Sequence, residues 1–100
     1  IVEKYDGTLK KIASLYSDKT KMGVQILSDQ PCVQFYTGNM MGQSYNGKFN
    51  KNYGYQHALC LEPQLFPNAF NQKNIKSSVL HKDKQYSSTI VMRLENNFDE

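Results

Sequence analysis

Glu62 is the residue in this chain best suited to move a proton. It closes the apolar run His57-Ala58-Leu59-Cys60-Leu61 and is followed by Pro63. A carboxylate at such a strand end, if partly desolvated, has its pKa raised. A raised value is what a general base working near neutral pH needs. A Glu at a strand end is more often a solvated rim residue, and pattern alone leaves both readings open. Gln34 shares one strand face with Tyr36 by parity. Its amide has two donors and an acceptor, which suits a hydroxyl-rich ligand such as a sugar. The plain alternative is a polar side chain on the solvent side of a sheet, and Tyr36 reads as core. His57 and Glu62 have opposite parity, so on a regular strand they face opposite ways and make no direct dyad. His57 therefore reads as structural, and His81, beside Lys82-Asp83-Lys84, as a histidine open to solvent.

These residues must be held by strands. Met22, Val24 and Ile26 alternate with Gly23 and Gln25, the period of a half-buried strand. Leu9–Tyr16 reads as the strand before it and Ile1–Tyr5 as one earlier still. The turns Asp6-Gly7 and Ser17-Asp18-Lys19-Thr20 separate the three, a meander pattern. Ser28-Asp29-Gln30-Pro31 breaks the alternation, and Cys32–Thr37 follows as a strand rich in Val33, Phe35 and Tyr36. Residues 42–54 have a loop composition of Gly and Asn. A loop that long inside a compact domain is usually functional or borders a site. His57–Glu62 is the next strand, with Leu59 and Leu61 on one face and Ala58, Cys60 and Glu62 on the other. Pro63 and Pro67 then bracket an irregular segment, since proline cannot continue a central ladder. Residues 67–78 read as ordered coil, Val79-Leu80 as a short strand, and Tyr86–Leu94 as the last strand before a polar tail. The predicted fold class is all-β, an antiparallel β-sandwich portion, with residues 1–100 forming a single piece.

The 100 residues carry a net charge of +3, and Lys10-Lys11 is the only pair of adjacent cations. A nucleic-acid partner would want a basic stripe, so none is expected. No stretch is long and apolar enough for a membrane-spanning helix, so no membrane partner is expected either. Cys32 and Cys60 lie in separate apolar runs with no second ligand at metal spacing. They read as buried free thiols of a cytoplasmic protein, with no metal site. The chain opens on Ile1-Val2, which reads like the middle of a strand, so a fragment of a longer protein is expected.

The segment Val33-Gln34-Phe35-Tyr36-Thr37-Gly38-Asn39, the Gly/Asn-rich loop, then HALCLEPQLFPNAFNQ and SSVL resemble the C-terminal half of the aldose 1-epimerase (galactose mutarotase) family. Order and spacing match from Ile1 to Arg93. The resemblance implies a large antiparallel supersandwich and a reaction that interconverts the α and β anomers of free hexoses, typically galactose and glucose. It places the family's catalytic Glu on Glu62 and a substrate-contacting Gln on Gln34. It implies no cofactor, and no catalytic role for His57. The family's acid His and further binding residues lie upstream of the matched segment, so the missing N-terminal part of the same protein is the expected partner, and this chain alone is expected to be inactive. Two departures concern loop shape: Asn68 stands where many relatives have Asp, and Asn50 occupies an expected glycine. An epimerase acting on a phosphorylated hexose and a non-catalytic sugar-binding sandwich remain as alternatives.

Overall fold

A computed structural model describes residues 1–2, 4–42, 47–75 and 77–96. The element order is β1 (Lys10–Ser17), β2 (Met22–Ser28), β3 (Cys32–Tyr36), β4 (Cys60–Gln64) and β5 (Ile90–Asn96), with 3-10 turns at Lys48–Asn50 and Ala69–Asn71. The fold is all-β and antiparallel, as the alternation of residue types predicts. β1, β2 and β5 form one sheet in that order, and β3 pairs with β4 in a second.

The β1–β2 hairpin closes where Ser17 to Thr20 predict a turn. Lys21 N–H donates to the Ser17 carbonyl at 2.8 Å, and Thr20 N–H donates to Ser17 Oγ at 3.3 Å. Gly23 is buried beneath the Tyr16 ring across the pair, and Gln25 Nε2 donates to the Tyr16 hydroxyl at 3.1 Å. On β2 the alternation carries Ile26 into the interior, where it is 2% exposed. Fully burying such a side chain stabilises a fold by about 1.5–3 kcal/mol.

The connection from β2 to β3 is the best buried part of the chain. Ser28, Gln30, Pro31 and Cys32 are all buried. Both side chains between Ser28 and Pro31 reach the run-in to β5. Thr89 N–H donates to both carboxylate oxygens of Asp29 at 3.1 and 3.0 Å, and Ser88 Oγ donates to Oδ1 at 3.1 Å. Gln30 Nε2 donates to Ser88 Oγ at 2.8 Å and to the Tyr86 hydroxyl at 3.0 Å. The Thr89 amide, first, and the Ser88 hydroxyl hold the Asp29 carboxyl below the usual carboxylate range.

Several expectations are corrected. Ile1–Tyr5 forms no strand over its described residues; Val2 N–H instead donates to the Pro31 carbonyl at 2.8 Å. The third strand beside β2 is β5, far along the chain, so the first sheet is not a local meander. β4 begins at Cys60 rather than His57 and runs through Pro63. Among the described residues β4 has a neighbour on one side only, where a proline can direct its missing N–H away from the ladder. Val79 and Leu80 are exposed coil with no strand beside them among the described residues. β5 spans Ile90–Asn96 rather than beginning at Tyr86. Cys32 is buried, but Cys60 is an exposed free thiol, because no described layer covers that face of β4. Residues 43–46 of the predicted loop lie outside the described residues.

Asn50 has φ of +55° and Asn68 has φ of +58°, both in the left-handed region. Asparagine tolerates that region far better than branched residues do. At position 50 it therefore adopts a backbone that a glycine would also provide. No helix among the described residues is long and apolar enough to cross a membrane.

Candidate functional site

β3 and β4 run antiparallel with Gln34 opposite Glu62, Cys32 opposite Gln64 and Tyr36 opposite Cys60. Directly opposed residues on one sheet face have their Cβ atoms about 4.5–5.5 Å apart. Gln34 and Glu62, far apart in sequence, are thus nearest neighbours on one face of the ribbon. Alternation sends Val33, Phe35, Leu61 and Pro63 to the other face. Gln34 and Glu62 are exposed. The Gln34 amide donates to the Phe35 carbonyl at 3.2 Å, and its oxygen accepts no hydrogen bond among the described residues. Glu62 makes no hydrogen bond or ion pair among the described residues. Nothing among the described residues layers over this face of β4, so they leave the carboxylate open to solvent.

Beyond the Tyr36–Cys60 pair, a polar network fastens the end of β3 to the run-in of β4. Thr37 Oγ1 donates to Asn39 Oδ1 at 3.1 Å, and Gln56 Nε2 donates to the same oxygen at 2.8 Å. Gln56 N–H reaches the Gly38 carbonyl at 3.1 Å, and Met40 N–H reaches the Tyr36 hydroxyl at 3.1 Å. Gly38 has φ of +67°, and a Cβ there would lie 2.7 Å from the Ala58 carbonyl oxygen, so this corner requires glycine. The Thr-Gly-Asn sequence thus stops β3 where it does and sets the register that brings position 34 to position 62.

His57 belongs to this corner. Its Nδ1 accepts from Gly54 N–H at 2.9 Å, and its own N–H donates to the Gly54 carbonyl at 3.1 Å. It precedes β4 and shapes the turn, in line with a structural role. His81 is exposed, and its carbonyl accepts from Lys84 N–H at 3.0 Å in the charged turn. A shallow depression beside the corner is lined by Thr37, Gln56, His57, Ala58 and Leu59. A second cavity, of about 310 Å³, includes Tyr5, Asp29, Gln30, Leu65 and Tyr86 in its lining. Gln34 and Glu62 line neither. No cluster of three or more potential metal ligands occurs among the described residues.

The geometry is that of an open strip, a carboxylate beside an amide, able to accept a proton and to grip hydroxyls. Residues 2–93 match the model of the aldose 1-epimerase family. The chain is similar to galactose mutarotases from Sus scrofa, Bos taurus and Homo sapiens, at 35% identity over 66 residues in each case. That stretch is 66% of this chain and 19% of each relative, so the chain matches about a fifth of their length.

Proposed function

The chain belongs to the aldose 1-epimerase family, and from that premise we propose that it carries the base side of a site that interconverts the anomers of a free hexose such as galactose or glucose. Glu62 takes the proton from the hydroxyl on C1 while an acid delivers one to the ring oxygen. The C1–O5 bond breaks and the C1 carbonyl forms. Rotation about C1–C2 presents the other carbonyl face, and reclosure returns both protons. Charge and electrons balance without a redox step, so the chemistry calls for no cofactor. Gln34, opposite Glu62, holds the sugar through its amide oxygen and its amide hydrogens.

One observation carries this reading. The β3–β4 register makes Gln34 and Glu62, the two positions to which the family resemblance assigns a substrate-contacting Gln and a catalytic Glu, immediate neighbours. The acid is assigned to a histidine outside this chain, because His57 is committed to the Gly54 corner and His81 to a remote exposed turn. An N-terminal part of the same protein would supply it and would cover the Glu62 face, drying the carboxylate. The extent of exposed apolar surface supports such a cover. Ile90, Met92 and Leu94 on β5 are 55%, 66% and 72% exposed. The radius of gyration is 17.0 Å, against about 13 Å for a compact domain of this size. The free thiols support a reducing, cytoplasmic setting.

The test is polarimetry on freshly dissolved α-galactose with the protein joined to its N-terminal part. Glu62→Gln keeps the shape and removes the base, so the catalysed rate should fall by orders of magnitude. A Glu62→Gln rate equal to wild type would remove Glu62 from the mechanism. The 100-residue chain alone should leave the spontaneous rate unchanged.

A further inference from the structure

The face that carries Gln34 and Glu62 has another polar member. Gln64 lies two residues beyond Glu62 on β4 and opposite Cys32, so by strand parity it projects to the same side. It differs from its neighbours in environment: Gln34 and Glu62 are exposed, Gln64 is half-buried, and Cys32 across from it is buried. Its amide makes no hydrogen bond among the described residues. Neither of its amide atoms is sealed from solvent, so two donors and an acceptor stand open to a ligand.

We infer that Gln64 is a sugar-binding residue, the contact for a ring hydroxyl remote from C1, and hence a determinant of which hexose is accepted. This rests on the reading of Glu62 and Gln34 given above. The spacing supports it. Alternate residues on a strand stand about 6.6–6.8 Å apart, and opposed residues about 4.5–5.5 Å. A triangle of those sides matches the reach of a pyranose that has its anomeric hydroxyl at one corner and a distal hydroxyl at another. With Glu62 at C1, the sugar lies along β4 either towards Cys60 and Tyr36 or towards Gln64. In the first direction the Tyr36 hydroxyl already accepts from Met40 N–H at 3.1 Å, whereas in the second the Gln64 amide offers donors and an acceptor with no partner among the described residues. Gln64 touches the ring rather than the reacting atoms, so it acts on affinity and selectivity more than on the chemical step.

The experiment measures kcat and KM for galactose and for its 2-, 3-, 4- and 6-deoxy analogues on the protein joined to its N-terminal part. It compares wild type with Gln64→Ala, Gln64→Glu and Glu62→Gln. For Gln64→Ala, KM for galactose should rise about tenfold with kcat little changed, the loss expected for one or two hydrogen bonds. For one deoxy analogue that rise should vanish, because the hydroxyl and the amide are partners and their losses do not add. Gln64→Glu preserves the shape and the acceptor, and should recover part of the affinity for the sugars that retain that hydroxyl. An equal rise in KM across all five sugars, or none, overturns the inference, because a packing role or a protein partner would not discriminate among hydroxyls. If Gln64→Ala fails to fold, the same comparison is made with Gln64→Glu. An active Glu62→Gln enzyme would instead overturn the reading of the site itself; an inactive one with sugar-independent Gln64 effects removes only Gln64.

Discussion

Replacing Gly23 by alanine should destabilise the protein, although alanine is intrinsically the better strand residue. A methyl group on Gly23 would fall inside the Tyr16 ring, which lies across the β1–β2 pair. The ring must swing away. It then loses the 3.1 Å hydrogen bond from Gln25 Nε2, a net loss of about 1 kcal/mol. It also uncovers apolar surface, roughly 1–1.5 kcal/mol for the equivalent of one to two methylenes at about 0.8 kcal/mol each. Against this, exchanging Gly for Ala in a strand recovers about 0.5–1 kcal/mol of chain entropy. The loss wins by about 1–2 kcal/mol, lowering Tm by about 4–16 °C for a domain of this size. The assay is thermal unfolding by circular dichroism in two backgrounds. With Tyr16→Ala already in place the clash is gone, and Gly23→Ala should then stabilise by about 0.5–1 kcal/mol. The reversal of sign is the test. A Gly23→Ala effect of the same sign and size in both backgrounds would refute the argument, because it would locate the cost elsewhere than in the ring.

Gly38→Ala should cost about 2–4 kcal/mol, combining a left-handed backbone with a contact against the Ala58 carbonyl; chemical denaturation reads it, and an unchanged midpoint contradicts the corner described for β3. Asp29 bears on pH dependence. Its folded carboxyl sits below the usual range, so its contribution is present above the unfolded carboxylate value and is lost as pH falls through the depressed folded value. Asp29→Asn should therefore flatten the acid limb of a stability-versus-pH curve, and an acid limb of undiminished slope argues against the bracket to Thr89. In the 100-residue chain, iodoacetamide should label Cys60 in the folded state and reach Cys32 only in denaturant, as peptide mass spectrometry would show; labelling at equal rates contradicts the burial of Cys32.

Local periodicity was enough to read β1, β2 and β3 from the sequence, because each carries its own alternation or β-branched run between turn residues. The pairing of β2 with β5 was not legible. Partners so far apart are chosen by the Asp29 and Gln30 links to Ser88 and Thr89, which no period records. Pro63 misled in the other direction. The rule against proline in a ladder holds for central strands, whereas β4 has one described neighbour. Val79-Leu80 has strand-forming residues but no described neighbour to pair with. For the site, parity put Gln34 and Tyr36 on one face of their strand. That this face meets Glu62 is a matter of register, set by the network at Thr37, Gly38, Asn39 and Gln56. Gln64 could have been found by the same parity count from Glu62. The strand expected to end at Glu62 hid it, and β4 in fact reaches Gln64.

Because the corner at Gly38 and Gln56 fixes the alignment from its own side, the stretch between Met41 and Tyr53 does not have to measure out the distance from position 34 to position 62. Residues there can be inserted or deleted without moving the amide away from the carboxylate. A single residue gained or lost between Gly38 and the Gln34 strand, or between Gln56 and Glu62, would instead turn one of the two side chains to the opposite surface. Length variation among related genes should therefore collect in the first interval and be purged from the other two.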